Sequence, residues 1–336
     1  MTEIKREKVA AVIVTYNRKE ALKECLDAVL RQTRPVDAVY IIDNASNDGT
    51  PEFLVEEGFI ESVLHPDREP IEGVKPAGTS GAEIRYVRMH ENTGGAGGFY
   101  EGIRRGYDAG FDWLWLMDDD GVPADDQLQQ LLVKSAEKGL LFTCPLVIDM
   151  DNEQALTFRP AHLRNVRNSV SAIMTEAVDG VIYDWVTPFN GTLVSRKVVE
   201  RVGNIKKEMF IWGDEREYVL RTQSNGIRVG TVTSALHWHP PRKGKRERLL
   251  FGLLGRVIVR PPDKAGIYYR NLGYLHSRYY GLSKHVKTII KHTVYYLVNL
   301  RCNIKGLVSF YRYYIDGATD RYSLPPRCMT YDEPRA

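Results

Sequence analysis

Trp113-Leu-Trp-Leu-Met117 runs directly into Asp118-Asp119-Asp120-Gly121. The apolar run reads as a buried strand, and the three carboxylates at its end read as the rim of a cleft. Working outward, three strands precede it. Val9 to Thr15 is continuously apolar and β-branched, Val39 to Ile42 ends in Asp43-Asn44, and Ile84 to Val87 leads into a glycine-rich loop. Between the first two, Ala21, Leu22, Cys25, Leu26, Val29 and Leu30 recur at helical spacing. Strand and helix alternation of this kind predicts right-handed βαβ units around a parallel sheet. Such sheets bind ligands at the carboxyl ends of their strands, where the polar groups gather. The fold class is α/β.

The chain has 336 residues, 43% hydrophobic and 26% charged, enough for a large core with an appended region. No stretch approaches the ~18 apolar residues of a membrane-spanning helix. The charged start MTEIKREKVA lacks the apolar run of a signal peptide, so a cytoplasmic location is expected. Cys25, Cys144, Cys302 and Cys328 are scattered and predict free thiols rather than a zinc or disulfide framework. Pro240 to Arg321 carries 17 Lys and Arg against 4 Asp and Glu. The whole chain stands at +3 and the last fifteen residues at zero, so the first 239 carry −10. An acidic body over residues 1–240, a basic region over 241–322 and a tail over 323–336 are expected. In the basic region strand signals stop. Tyr296, Leu300, Ile304, Leu307, Val308, Tyr311 and Ile315 predict helix. The Pro- and Gly-rich segment from Leu64 to Ala82 reads as an inserted loop.

Three adjacent carboxylates repel one another unless a cation compensates them. Residues i and i+2 of an extended segment point the same way, so Asp118 and Asp120 can meet on one ion. Hard oxygens suit Mg²⁺ or Mn²⁺, which also bind a diphosphate. The plainer alternative is an acidic turn. The loop Asn92-Thr-Gly-Gly-Ala-Gly-Gly-Phe99 serves either close ligand approach or tight packing. Asp214, Glu215 and Glu217 follow Phe210-Ile-Trp212, and aromatic neighbours can raise a carboxylate toward the range of a general base. A helix start is the alternative. His237 and His239 offer imidazoles.

Together VIVTYNR, IIDNASNDGT, MDDDG, NTGGAGGF, FIWGDEREYVLR and the WH pair resemble, in order and spacing, the GT-A fold glycosyltransferases of family 2. The resemblance covers most of residues 9 to 240, with family-like features to about 320. It is nearest the bacterial galactofuranosyltransferase and rhamnosyltransferase branch. It implies a mixed, mainly parallel Rossmann-like sheet flanked by helices, followed by a helical basic region. It also implies roles. Thr15, Tyr16 and Arg18 would contact the nucleotide or its phosphates, and Asp43 the pyrimidine base. Asn92, Gly94 and Gly95 would line the donor pocket. Asp118 and Asp120 would hold Mn²⁺ or Mg²⁺ with His239 as third ligand, and Asp118 and Asp119 would face the donor. Relatives usually have two aspartates, or Glu then Asp, at the base position. This chain has Asp214 then Glu215, and alignment of the surrounding residues favours Glu215, with Asp214 the alternative. Trp212 and Glu217 fall on the acceptor side.

The implied reaction is inverting transfer of galactofuranose from UDP-galactofuranose to a lipid-linked cell-surface glycan, with rhamnose from dTDP-rhamnose as the alternative. A non-catalytic sugar-nucleotide or glycan-binding protein is a different class, disfavoured by the intact acidic and WH motifs. The basic, tyrosine-rich region suits peripheral docking on anionic membrane, packing on the catalytic domain or a homo-oligomer interface. No nucleic-acid motif is present, so no nucleic-acid partner is expected.

Overall fold

The computed structural model describes residues 6–76, 81–158, 169–241 and 245–322. The expected tail 323–336, with Cys328, lies outside the described residues. The chain divides into two compact units. One comprises residues 1–207 with 218–242, and the other residues 208–217 with 243–336.

The first unit is an α/β layer structure. In chain order its elements are β1 (Val9–Thr15), α1 (Lys19–Leu30), β2 (Ala38–Asp43), α2 (Thr50–Glu56), β3 (Ile71–Lys75), β4 (Glu83–Arg88) and α3 (Gly94–Asp108). There follow β5 (Trp113–Asp118), β6 (Val122–Pro123), α4 (Gln127–Lys138), β7 (Phe142–Asp149), β8 (Asn152–Leu156) and α5 (Val170–Met174). The unit ends with β9 (Val181–Tyr183), β10 (Asn190–Ser195), α6 (Arg196–Val202), the larger part of α7 (Asp214–Ser224) and β11 (Val229–His239).

The strands form one sheet in the order β3-β4-β2-β1-β5-β10-β7-β11-β6, with β8 on β7 and β9 on β11. Strands β4, β2, β1 and β5 are mutually parallel, and β10 enters antiparallel between β5 and β7. The alternation predicts the parallel part, and the mixed, mainly parallel whole is the sheet that the family resemblance implies. Every residue of β1 is buried, because a central strand is covered on both faces. Pairing register then determines the cleft. Thr15 lies opposite Asp43, Asp43 opposite Arg88, and Val14 opposite Asp118, so the carboxyl ends of four strands form one line.

Helix α1 covers one face with Leu22, Cys25, Leu26 and Val29. Helix α3 covers the other through a stripe of glycines. A Cβ on Gly98 would lie 2.5 Å from Val14, one on Gly106 2.5 Å from Leu114, and one on Gly102 would overlap Val12. The glycine-rich segment is therefore partly a packing device that lets the helix axis approach the sheet. The segment from Leu64 to Ala82 is not all loop. It contains β3, which pairs antiparallel with β4 at the sheet edge. This edge strand is exposed or half-buried along its whole length, so Ile-Glu-Gly-Val-Lys shows no apolar run to read.

The second unit holds a hairpin, β12 (Lys245–Arg248) and β13 (Arg256–Val259), then α8 (Pro262–Leu275), α9 (Leu282–Val294) and α10 (Ile304–Ala318). The helices are as expected, but the strand signal does not stop at Pro240. The hairpin was hidden by its charged outer residues, Arg246, Arg248 and Arg256. The helical pattern from Tyr296 to Ile315 is also broken, with Arg301 and Cys302 at positive φ. Asn303 restarts the helix by accepting a hydrogen bond from Gly306 N at 2.8 Å. Helices α8 and α10 meet at backbone contact, because a Cβ on Gly273 or Gly317 would overlap the other helix's main chain. Tyr269, Tyr295, Tyr296, Phe310 and Tyr314 fill the core, and the Tyr269 and Tyr296 hydroxyls bond at 2.8 Å. No helix of the described residues is long and apolar enough to cross a membrane.

Candidate active site

In the first unit the side chains of the acidic strand end alternate. Asp119 is buried, while Asp118 and Asp120 are half-buried. Asp119 turns inward, accepting from Thr15 Oγ1 at 2.7 Å, Tyr16 N at 3.4 Å and Arg18 Nη1 at 3.2 Å. Burial pushes its carboxyl up to about 6. Arg18 and Thr15 oppose that rise, and Asp120 adds to it. The same Arg18 nitrogen donates to Asp120 Oδ2 at 2.6 Å. Burial alone would lower the Arg18 pKa, but the three aspartates outweigh it and raise it. A guanidinium thus neutralises the carboxylates from one side.

The other oxygen of Asp120 faces His239. Asp120 Oδ1 and His239 Nε2 are 3.5 Å apart. His239 Nδ1 lies 2.7 Å from the Pro240 carbonyl, which can only accept, so Nδ1 carries the proton. In the neutral ring Nε2 then presents a lone pair to a carboxylate oxygen. A neutral imidazole nitrogen and a carboxylate oxygen so placed make a good pair of ligands for a cation. His239 and Asp120 therefore fit a divalent ion. The three expected ligands are not all gathered, since no group of three His, Cys, Asp or Glu is arranged to hold a metal among the described residues.

His237 plays a different part. It is fully buried beside Gln127, and burial lowers its pKa to about 3, with a smaller push from His239. A Cβ on Gly121 would overlap its ring, so the glycine after the three aspartates makes room for an internal histidine.

Asp43 is also internal. Its Oδ1 accepts from Ser46 N at 2.8 Å and its Oδ2 from the Tyr86 hydroxyl at 2.6 Å, with no exposed surface. It organises the Asp43-Asn44-Ala45-Ser46 turn. Asn44, which the sequence did not single out, ties that turn to the glycine loop. It donates to Gly94 O at 2.8 Å and accepts from Thr93 N at 2.9 Å. Asn92 Oδ1 accepts from Gly94 N at 2.8 Å, an Asx turn that leads into α3. Gly94 has φ of 71°, and a Cβ on Gly95 would meet open space. Gly95 is thus free of a packing role while Gly98, Gly102 and Gly106 are not. Tyr16 is 41% exposed, and the loop carrying it is fixed where Asn17 N donates to Ser46 Oγ at 3.0 Å.

The acidic motif belongs, up to Glu217, to the second unit. Phe210 and Trp212 have φ of 65° and 62°, so the chain turns sharply before Gly213. Asn271 of α8 holds this turn. Its Nδ2 donates to the carbonyls of Met209 at 2.8 Å, Ile211 at 3.0 Å and Trp212 at 3.2 Å. Arg270 Nη2 donates to Glu208 O at 2.8 Å, and the Arg260 guanidinium stacks 4.1 Å from the Trp212 ring centre. Asp214 and Glu217 are buried, and the Tyr279 hydroxyl donates to Glu217 Oε1 at 2.7 Å. Glu215 is half-buried, with Oε2 accepting from Gly213 N at 2.8 Å, which leaves Oε1 for other contacts. Asn271 went unread in the sequence. The one signal was an Asn among apolar residues at Ile267, Asn271 and Leu275, all on one buried face.

Residues 10–202 match the model of glycosyl transferase family 2. The chain belongs to that family. It is a family 2 glycosyltransferase that uses a sugar-nucleotide donor. Its relatives include galactofuranosyltransferase GlfT1 of Mycobacterium tuberculosis, 30% identical over 320 residues, covering 95% of this chain and 98% of that protein. GlfT1 of Mycolicibacterium smegmatis is 30% identical over 321 residues, with 94% and 98% covered. Among solved structures, residues 1–349 of TarS from S. aureus superpose with a TM-score of 0.55 at 11% identity, covering 94% of this chain and 82% of that one. The same TarS segment has been solved with UDP-GlcNAc (TM-score 0.54, 10% identity, the same coverage). GalNAc-T7 with UDP, GalNAc and Mn²⁺ superposes with a TM-score of 0.52 at 15% identity, covering 96% of this chain and 59% of that one. These structures share the GT-A fold.

Proposed function

We propose that this glycosyltransferase moves galactofuranose from UDP-galactofuranose, with inversion, to a lipid-linked glycan acceptor at the cytoplasmic face of the membrane. Full-length similarity to galactofuranosyltransferases carries the choice of sugar. The facing Asp120 and His239 acceptors support use of a divalent cation, Mn²⁺ or Mg²⁺. When bound, such a cation stabilises negative charge on a departing nucleoside diphosphate.

The chain's own residues supply the rest. Tyr16 offers an exposed face to the nucleotide, and the loop at Asn92, Gly94 and Gly95 offers backbone to the donor. Arg18 moves from Asp120 to the diphosphate as the nucleotide enters, since a guanidinium binds either anion well. Glu215 takes the proton from the acceptor hydroxyl as that oxygen attacks the anomeric carbon, with Asp214 as the alternative base. Trp212 and Glu217 shape the acceptor side. Asp43 acts through the turn it holds, because its carboxylate is already enclosed.

Calorimetric titration with UDP and with dTDP, each with and without Mn²⁺, tests the donor. Mn²⁺-dependent preference for UDP, together with galactofuranosyl turnover, is the expected result. Preference for dTDP would transfer the proposal to rhamnose, and folded protein that binds neither nucleotide would overturn it.

A further inference from the structure

The hairpin of the second unit ends in Leu249-Leu250-Phe251-Gly252-Leu253-Leu254. Leu249 is fully buried in the aromatic core and Leu254 packs against that core, while Phe251 is 101% and Leu253 88% exposed. Leu250 is exposed beside them. Hydrogen bonds lock the loop. Gly252 N donates to Leu249 O at 2.9 Å, Leu253 N to Leu250 O at 3.0 Å, and Leu249 N to Gly255 O at 3.0 Å. Leu250 and Phe251 have φ of 46° and 57°, a conformation that bulky side chains avoid. Three large apolar groups are thus held outward by a strained, hydrogen-bonded turn. Water offers no compensation for that arrangement.

The surrounding charge is almost all of one sign. Arg246, Arg248 and Arg256 are exposed on the hairpin, and Glu247, its sole acidic residue, is half-buried. A side chain added at Gly255 would begin 3.5 Å from Lys291 Nζ of α9, so a further cation flanks the tip. On α9, Leu282, Val286 and Ile290 repeat every four residues along one exposed stripe, with Lys284 and Lys287 exposed between them. From Lys264 to Ile315 the sequence has nine Lys and Arg and no Asp or Glu. Apolar groups fringed by cations match the layering of an anionic bilayer, with acyl chains below and phosphates above.

We infer that the β12–β13 tip is a membrane-docking finger. Phe251 and Leu253 enter the acyl boundary of an anionic bilayer, while Arg246, Arg248, Arg256 and Lys291 bind headgroup phosphates. The inference does not depend on the donor or the reaction proposed above. It gives the lipid-linked acceptor a surface on which to meet the protein.

Sedimentation of the full chain with phosphatidylcholine vesicles, with and without phosphatidylglycerol, tests it. Wild type should bind only the vesicles containing phosphatidylglycerol, and less in high salt. Phe251→Ser with Leu253→Ser should weaken binding by about tenfold or more, as expected for two lost apolar anchors, with UDP binding unchanged. A Phe251→Trp variant should be quenched by brominated lipid, a readout that needs no loss of function. Three results would each overturn the inference. One is wild type that ignores the anionic vesicles, and another is a double Ser variant that binds them like wild type. Alternatively, lipid-free wild type could form a dimer that the Ser variant abolishes, showing that a second copy covers the tip. Failure of UDP binding with vesicle binding intact would count against the UDP-galactofuranose donor alone.

Discussion

His239 Nε2 faces Asp120 Oδ1 across 3.5 Å, with the His239 proton held on Nδ1 by the Pro240 carbonyl. That relationship is the basis of the proposed cation site. Replacing His239 with Ala should weaken Mn²⁺-dependent UDP binding by at least the roughly 10–100-fold that loss of a ligand's outer partner costs a metal site. Binding without Mn²⁺ should change little. Asp120→Ala should lose donor binding and turnover together, and titration calorimetry reads both variants.

Glu215→Ala should reduce turnover by about 10²–10⁴-fold, the usual contribution of a general base, with UDP affinity retained. Wild-type turnover by that variant would transfer the role to Asp214, which is checked by Asp214→Asn in the same assay.

Asn271 donates from Nδ2 to three carbonyls of the acid turn, those of Met209, Ile211 and Trp212. Asn271→Leu keeps the volume and removes the donors. It should lower kcat while leaving Mn²⁺–UDP affinity near wild type, because the residues proposed to bind the donor belong to the other unit. Equal loss of donor affinity and kcat would argue for general unfolding instead.

Gly102→Val should destabilise the first unit, since even a Cβ there would overlap Val12. Overpacking of this kind costs about 1–3 kcal/mol, and a lowered Tm in calorimetry checks it. Gly95→Ala, with open space at its Cβ, should leave Tm unchanged.

Acid should destabilise the second unit. Burial lowers the pKa of both His276 and His292 to about 4, from an ordinary 6.5. Neighbouring His285 and Lys284 add to the shift of His276, and the Thr288 carbonyl opposes that of His292. Between those values the unfolded chain binds protons that the folded chain refuses. Stability from these groups is therefore present above pH 6.5 and lost as pH falls toward 4. Tm should drop across that window, and His276→Gln with His292→Gln should flatten the slope.

Local pattern made much of this protein legible. The four parallel strands, α1, the acidic strand end and the basic helices each rest on periodicity or composition within a few residues, which neighbours in sequence encode directly. The family likewise showed in motifs whose order and spacing are linear properties. The strand β3 and the hairpin β12–β13 escaped, because edge and surface strands lack the apolar run that marks a buried one.

Only the tertiary structure decided what each polar side chain meets. Asp119 turns in toward Thr15 while Asp120 turns out toward His239, because β1 and β11 bring partners from about a hundred residues away in either direction. Asp43 is enclosed because Tyr86, from the neighbouring strand, reaches its carboxylate. The acid turn is held by Asn271, some sixty residues downstream, and three of its glycine-rich counterparts on α3 serve packing against β1 and β5 rather than a ligand. A residue's type and its local spacing follow from the chain as written. The partner of its hydrogen bond, and hence its charge and exposure, depends on long-range pairing that only the folded chain establishes.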